Sequence, residues 1–221
     1  MSTNPVVRQA DRLIWLGLGL TIALLLLAGL LAALRVRASF GKPLPVYGAV
    51  ADFALTNQLG QPISRADLHG HVWVADLIFT RCAGPCPKMT RQMKELQDAL
   101  QATSRAKLIT LTTDPEYDTP AVLDRYAGKF GADPHRWWFL SGTKKQIMDL
   151  AVGSLKLTAL DKAAAERQSQ VDLFVHSTIF VLVDQNGQVR GTFETTGEGV
   201  EPQQVRAQLL AAVRRLEKER M

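Results

Sequence analysis

The sequence predicts an α/β domain built on a central mixed sheet and preceded by one transmembrane helix. Short apolar, β-branched runs alternate with stretches of helical periodicity, which is the pattern of strands and helices packed in layers. The chain then ends in two apolar runs around an Asn-Gly turn, followed by an amphipathic helix. An uncharged apolar stretch near the N-terminus predicts the membrane span.

That apolar stretch covers residues 13–34, which are 22 residues without a charge. At about 1.5 Å per residue, a helix of this length crosses a bilayer. A cleaved secretory signal would have a shorter apolar region followed by small residues, and Leu34 to Ala38 is a poor cleavage site. We therefore expect an uncleaved anchor, and basic residues on both of its sides leave the orientation open. The predicted parts are a tail (1–12), a transmembrane helix (13–34), an extended linker (35–48) and a domain (49–221).

The net charge of +5 is spread along the chain. There is no dense block of Lys and Arg, and no interleaving of basic and aromatic residues of the kind that follows a nucleic-acid backbone. We therefore expect no nucleic-acid partner, and at most some affinity for a membrane surface.

The first half of the domain contains two predicted strand regions and a helix. Residues 53–63 predict a hairpin with Gly60 in its turn, and the apolar run 72–79 predicts a buried central strand. Residues 87–102 predict an amphipathic helix with Pro in its first turn. Met89 and Met93 lie on its apolar face, where we favour core packing over thioether ligation of copper.

The rest of the domain repeats this alternation. Residues 107–113 predict a second central strand, and Thr119 and Pro120 predict the N-cap and first residue of a helix that ends near Phe130. The structure of residues 153–170 is left open. The other predicted elements are a strand (137–140), a helix (141–152), an apolar run (171–176) followed by a strand (177–183), its hairpin partner (188–193) across the turn at Asn186-Gly187, and a helix (202–221).

The two cysteines of the chain, Cys82 and Cys86, fall on the turn between the central strand and the helix that follows it. The first helical turn favours thiolate over thiol, and so do the neighbouring Arg81 and Lys88. The Gly-Pro pair between the cysteines is typical of a turn, so we do not favour two buried structural cysteines. Two soft sulfurs at this spacing suit a disulfide or a soft ion such as Cu(I), whereas zinc usually takes four ligands.

Other residues offer metal-binding groups with less support. His69 and His71, two residues apart, could share a strand face and bind a metal, but they lie at a loop mouth, where solvated histidines are common. Asp114 and Asp118 lie in a Pro-containing turn, and we favour turn and capping roles for them over a metal or carboxylate-pair site. His176 precedes an apolar strand and, because sites lie off strand ends, could fall near the cysteines. From its residue type alone, His176 could equally be a metal ligand or a structural residue.

Four motifs together resemble those of the Sco/SenC family, membrane-tethered copper chaperones of thioredoxin fold that help to assemble cytochrome c oxidase. The resemblance extends from Phe53 to the C-terminal helix. The matching segments are 79–87 (FTxCxxxCP), 114–120 (DPxxDTP), 138–142 (W-x-L-[ST]-G) and 175–177 (D-H-S, here with Val175 in place of Asp).

The resemblance implies a thioredoxin-like fold and copper ligation by Cys82, Cys86 and His176. It also implies a single-pass anchor in the cytoplasmic (inner) membrane with the domain on the outer, periplasmic face. Copper, as Cu(I) or Cu(II), would pass to the copper site of a cytochrome c oxidase subunit. Thiolates suit Cu(I), and an imidazole lets the same site hold the oxidised ion.

Three positions depart from the family pattern. Val175 replaces an Asp that would contact the histidine, and Ala83 replaces a frequent Pro. Asp76 stands in the central strand where an aromatic residue is usual, six residues before Cys82. Thioredoxin keeps a buried acid at that offset. Apolar neighbours on both sides predict that Asp76 is buried and has a raised pKa suited to moving protons for a thiol.

A second function is therefore thiol–disulfide exchange. Cys82 would attack, Cys86 would resolve through a Cys82–Cys86 disulfide, and Asp76 would move the proton. The substrate would be the cysteines of an oxidase copper site, and a thioredoxin-like protein would be the reductant. A redox thioredoxin would have Pro where Ser177 stands, which favours metal binding over general exchange. A peroxidase is less favoured still, because Phe79 occupies the Thr position of the peroxiredoxin Thr-x-x-Cys motif.

Overall fold

We analysed a computed structural model of the 221-residue chain. It describes residues 15–32, 43–100, 102–157 and 178–219, and the backbone of 159–161 and 174–176. The chain forms two compact units, Met1–Leu44 and Pro45–Met221. In the first unit, helix α1 (Trp15–Ala32) is long and apolar enough to cross a membrane. The predicted apolar helix is therefore present, and the division of the chain into four parts stays a prediction.

The second unit is built on a mixed eight-stranded sheet beside a separate pair of short strands. In chain order the strands are β1 (Gly48–Ala49), β2 (Ala54–Asn57), β3 (Pro62–Ser64), β4 (Trp73–Ile78), β5 (Lys107–Thr112), β6 (Trp137–Ser141), β7 (Ala159–Asp161), β8 (Phe174–His176), β9 (Ile179–Val183) and β10 (Gln188–Glu194). The large sheet has the order β1-β10-β9-β4-β5-β6-β2-β3, and β7 pairs with β8.

Strand β4 lies at the centre, and all six of its residues are buried. It runs parallel to β5 and antiparallel to β9, and β10 continues the sheet antiparallel to β9. The order β10-β9-β4-β5 with these directions is the thioredoxin-like arrangement. The predicted α/β fold with a central mixed sheet is therefore confirmed, and so are the hairpin β2–β3 and the hairpin β9–β10.

Helices cover the sheet in the places that the periodicity predicts. They are α2 (Cys86–Ala99), α3 (Pro120–Phe130), α4 (Lys144–Met148) and α5 (Pro202–Lys218). Met89 and Met93 are fully buried on α2, which confirms that they are core residues. Helix α3 has Thr119 as N-cap and ends at Gly131, whose positive φ of 67° suits glycine. Helix α2 ends three residues earlier than predicted, because Leu100 takes an extended conformation.

The structure describes part of the segment that follows α4. A π-helical turn (Asp149–Ser154) continues α4, and β7 then pairs antiparallel with β8, with Ala159 opposite His176. The end of the apolar run 171–176 therefore forms a strand, and residues 171–173 lie outside the described residues.

A buried ion pair holds the β9–β10 hairpin to both ends of the domain. Arg190 Nη1 lies 2.6 Å from Asp184 Oδ2, and both side chains are at least 90% buried. Asp184 Oδ1 also accepts hydrogen bonds from two backbone amides of the turn. The same guanidinium donates to Glu219 after α5 and to the carbonyl of Pro45 at the start of the domain. The pair therefore links the first and last described segments of the domain.

We expect Asp184→Ala to lower the free energy of unfolding by about 3 kcal/mol or more, because it leaves the buried Arg190 charge without its closest partner. A matched control is Asp149→Ala, which breaks the exposed pair with Lys145. That change should cost no more than about 0.5 kcal/mol. Urea unfolding followed by circular dichroism measures both values. Equal effects in the two variants would contradict a structural role for the buried pair.

Candidate metal centre

The two cysteines lie at the carboxyl end of β4. Cys82 is in the turn, where its amide donates to the carbonyl of Phe79 at 3.2 Å, and Cys86 is the first residue of α2. Both are thiols rather than a disulfide. Cys82 is 8% exposed and Cys86 is fully buried. The amide of Gly84 donates to Cys82 Sγ at 3.4 Å, so the turn itself supplies a donor to one sulfur.

The thiols sit in an apolar cluster. They pack with Ile78 and Phe79, and the ring of Tyr126 packs against the same cluster from α3. Tyr126 shares a hydrogen bond with the Thr90 hydroxyl at 3.0 Å, and burial raises the pKa of its phenol. The phenol is therefore neutral near pH 7. Because their neighbours are apolar, the thiols lie in an environment that holds little water and solvates charges poorly.

This environment corrects the expectation that Cys86 is biased toward thiolate. The hydrogen bond that Cys86 shares with Cys82 raises the pKa of Cys86, and its burial raises that pKa further. These two effects outweigh the helix-terminus field that the sequence argument relied on. Cys86 is therefore a neutral thiol in the reduced protein. Cys82 is the more exposed of the two sulfurs and the one that a partner can reach first.

Arg81 also has a different role from the one expected. Its Nη2 lies 2.5 Å from Asp114 Oδ2, and its guanidinium stacks 4.0 Å from the ring centre of Tyr117. The positive charge is therefore engaged by a carboxylate and an aromatic face rather than directed at the cysteines. The contact fixes the residue that immediately precedes Cys82.

Asp118 holds the residue before Arg81. Its carboxylate is fully buried and accepts from the Thr80 amide at 3.1 Å, from the Thr80 hydroxyl and from the Thr112 hydroxyl. Burial raises the pKa of Asp118, and the hydrogen bonds from Thr112 and Thr80 offset part of that rise. The turn after β5 is thereby attached to the cysteine turn after β4.

Our interpretation of Asp114 and Asp118 was therefore incomplete. Both lie in a turn, as expected, but their side chains hold the cysteine turn of the neighbouring strand. A signal for this was present in the sequence. The two segments follow adjacent strands of a βαβ unit, and the carboxyl ends of parallel strands meet at one edge of the sheet.

Asp76 is fully buried in β4, as predicted. Neither of its carboxylate oxygens has a hydrogen-bond partner among the residues that the structure describes. Its register partner on β5 is Thr110, whose hydroxyl instead accepts from Trp137 Nε1 at 2.9 Å. Burial raises the pKa of Asp76 to about 7. A negative charge on Asp76 also raises the pKa of Cys86, so the carboxyl and the thiol influence each other's protonation.

Two other candidate metal ligands, His69 and His71, lie away from the cysteines. His69 and His71 precede β4, at the opposite end of that strand from the cysteines, and His71 Nδ1 lies 2.7 Å from the carbonyl of Arg105. Six residues of strand separate the two ends, which is roughly 20 Å. Within the described part of the chain, no cluster of three His, Cys, Asp or Glu side chains is suited to a metal.

For His176 the structure gives the backbone alone. Strand β9 runs antiparallel to β4 with Val181 opposite Ala75, so β9 begins at the end of the sheet that carries the cysteine turn. His176 precedes β9 by three residues. The main chain therefore leads toward the same edge, and copper ligation by the His176 side chain stays a prediction.

A thioredoxin-like domain with two thiols at its central strand-to-helix turn defines a class of thiol-bearing redox and metal-handling proteins. Within that class, the SCO1/SenC family model matches residues 45–214, and the chain belongs to this family. The chain is 34% identical over 147 residues to the SCO1 protein homolog of Bacillus subtilis, covering 66% of this chain and 73% of that protein. It is 30% identical over 150 residues to a putative copper-binding protein of Stutzerimonas stutzeri, with coverage of 67% and 70%.

A solved structure also resembles the domain closely. BsSco, a member of the Sco family of cytochrome c oxidase assembly proteins in which a disulfide switch was identified, superposes with a TM-score of 0.67 at 28% identity. The match covers 81% of this chain and all of that one. The thioredoxin-like fold implied by the sequence motifs is thereby confirmed.

We expect Asp118→Ala to loosen the cysteine turn, because it leaves the Thr80 amide and two hydroxyls without their acceptor. Hydrogen exchange at Thr80 should accelerate, and an alkylating reagent should modify Cys82 several-fold faster. The change should also lower the free energy of unfolding by about 2–4 kcal/mol. Asp124→Ala, on the exposed side of α3, is the matched control and should alter neither rate. Unchanged exchange at Thr80 in Asp118→Ala would exclude this positioning role.

Proposed function

We propose that the protein is a membrane-anchored copper chaperone that delivers copper to, or helps to mature, the copper site of a cytochrome c oxidase. The observation that carries the proposal is the pair of contacting thiols, Cys82 and Cys86, in a buried turn of a Sco-family domain. The relatives support it, because one is named as copper-binding and another belongs to a family of oxidase assembly proteins.

The donor set fits copper as cargo. Two sulfurs in an apolar surrounding suit Cu(I), which is soft and accepts a low coordination number. Cys82 and Cys86 would hold the ion, and His176 would add the nitrogen that Cu(II) favours. Since Cys86 is protonated in the reduced protein, binding must release its proton, and the apparent affinity should rise with pH. The same competition from protons helps the site to give its cargo up to a partner's ligands.

The anchor suits this role. Helix α1 is a candidate span near the N-terminus, and the segment 33–44 separates it from the second unit. We place the protein in the cytoplasmic (inner) membrane as a single-pass protein, with residues 45–221 on the outer, periplasmic side. This arrangement restricts the domain to the membrane surface where an oxidase subunit presents its copper site.

The test is copper binding by the full chain and by two histidine variants. With Cu(II), the reduced protein should show a thiolate-to-copper charge-transfer absorption. His176→Ala should lose this absorption and keep Cu(I) binding within about tenfold, since two thiolates suffice for Cu(I). Competition with a Cu(I) chelator measures the second quantity.

His135→Ala is the matched control, because His135 is exposed and lies before β6, away from the cysteine turn. Its spectra should equal those of the unaltered protein. An unchanged Cu(II) absorption in His176→Ala would remove His176 from the site. If the unaltered protein bound neither Cu(I) nor Cu(II), the chaperone function itself would be rejected.

A second candidate function is thiol–disulfide exchange, and the buried Asp76 favours it. The Cys82 thiolate would attack a disulfide of the partner, forming a mixed disulfide and releasing one partner thiolate. Asp76 would accept the proton of Cys86, whose thiolate then attacks Cys82 Sγ. The products are a Cys82–Cys86 disulfide and a reduced partner dithiol, and a thioredoxin-like reductant would restore the starting state. A carboxyl with a pKa of about 7 is suited to this proton transfer.

We expect Asp76→Asn to slow disulfide reduction about tenfold or more at pH 7–8 while changing copper affinity little. The rise in wild-type rate as Asp76 ionises around pH 7 should be absent from the variant. Because the folded pKa lies above the ordinary 3.8, ionisation destabilises the native protein as the pH rises from about 4 through 7. Asp76→Asn should therefore gain stability relative to wild type across that window. Stopped-flow exchange kinetics and urea unfolding measure these effects.

Asp124→Asn, an exposed change on α3 of the same chemistry, should leave both profiles unaltered. Normal exchange kinetics together with badly weakened copper binding in Asp76→Asn would assign Asp76 to the support of a metal site. That result would rule out the oxidoreductase function.

A further inference from the structure

A pocket rich in positive charge lies at the end of the sheet opposite the cysteines. It is formed where the parallel strands β4, β5 and β6 begin, and its volume is about 220 Å³. Its charged and titratable lining residues are His71, Arg105, Lys107, Asp133, His135 and Arg136. The cysteine turn is roughly 20 Å away along β4, so this pocket is distinct from the candidate metal centre.

The cations of the pocket are close enough to repel one another. Lys107 Nζ donates to the carbonyl of His135 at 2.7 Å and lies 5.0 Å from the ring centre of Trp138. Burial lowers the pKa of Lys107, and the charges of Arg136 and Arg105 lower it further, whereas Asp133 acts in the opposite direction. Lys107 is held in place by contacts that do not neutralise it.

The acids near the pocket are already engaged. Asp133 Oδ1 accepts from the amide of His135 at 2.9 Å. At the rim, Glu217 of α5 accepts from the Ser104 hydroxyl at 2.8 Å and from the amide of Arg105 at 2.9 Å. The lining of the pocket therefore contains three cations and one carboxylate, which is an excess of positive charge.

Arg136 has donor capacity that the protein does not use. Its Nη1 is buried and has no hydrogen-bond partner among the described residues, although a buried donor without a partner is costly. Elsewhere in the domain a buried guanidinium pairs with a carboxylate, as Arg190 does with Asp184. A small shift of the guanidinium toward an anion in the pocket would satisfy this donor.

We propose that this pocket binds a phosphate group, either free or carried by an anionic lipid headgroup. A phosphate offers several acceptor oxygens and up to two negative charges, which match several converging donors and the excess of positive charge. In a chain with a candidate membrane span, a lipid phosphate is an available source. Docking of this end on a bilayer would leave the cysteine turn at the far end of β4, facing away from the lipid.

The test has two arms, both on the full chain in nanodiscs. In neutral phosphatidylcholine discs, calorimetric titration with inorganic phosphate should reveal one site per chain. Arg105→Gln and Arg136→Gln should each weaken it about fivefold or more. In discs that contain phosphatidylglycerol, hydrogen exchange should slow at residues 102–107 and 133–137, and Arg105→Gln should remove that protection. Arg105 is exposed, so its variant should fold normally.

Arg125→Gln removes the same charge from the exposed side of α3 and is the matched control. Binding of inorganic phosphate that only the pocket variants weaken supports the site with a free ion as its ligand. Protection seen only with phosphatidylglycerol, and lost only in the pocket variants, supports it with a lipid as its ligand. Absence of both signals, or equal losses in Arg125→Gln, overturns the proposal, since a general charge effect would then explain the data.

Discussion

The geometry of the thiol site depends on the buried carboxylate of Asp118. It joins the turn after β5 to the turn after β4 through two hydrogen bonds from Thr80 and accepts a third from Thr112 of β5. The ion pair of Arg81 with Asp114 adds a second link between the turns. Gly84 gives this turn conformational freedom at one position, so contacts from outside the turn are needed to restrict it. The carboxylate therefore holds Thr80, and with it the cysteine turn, in place.

Burial then decides the chemistry of those sulfurs. An apolar surrounding keeps Cys86 protonated and raises the pKa of Asp76 into the neutral range. Binding of a soft ion would displace the protons of the thiols, and thiol–disulfide exchange would transfer one proton. Both reactions would therefore depend on the raised pKa values. The proposed metal and redox functions are therefore chemically compatible in one site.

Hydrophobic periodicity was sufficient to predict the sheet, the helices and the burial of Asp76, because each depends on residues close together in sequence. The Asp118–Thr80 contact joins residues 38 apart, and residue types alone pointed to a local turn. The pKa of Cys86 was mispredicted for a related reason. The helix terminus is visible in the sequence, whereas the contact with Cys82 and the completeness of burial arise only on folding.

Thiols and acids lie at the carboxyl end of β4, whereas basic residues lie at its amino end. The parallel arrangement of β4, β5 and β6 explains this separation. The carboxyl ends gather the turns that follow the strands, which supply soft sulfurs and the acids that hold them. The amino ends gather the residues that precede the strands, which are mainly basic. Because six buried residues of β4 lie between the two ends, an anion at one end does not contact the thiols at the other. The two ends of β4 can therefore engage different partners, as the proposed phosphate site and the proposed copper site require.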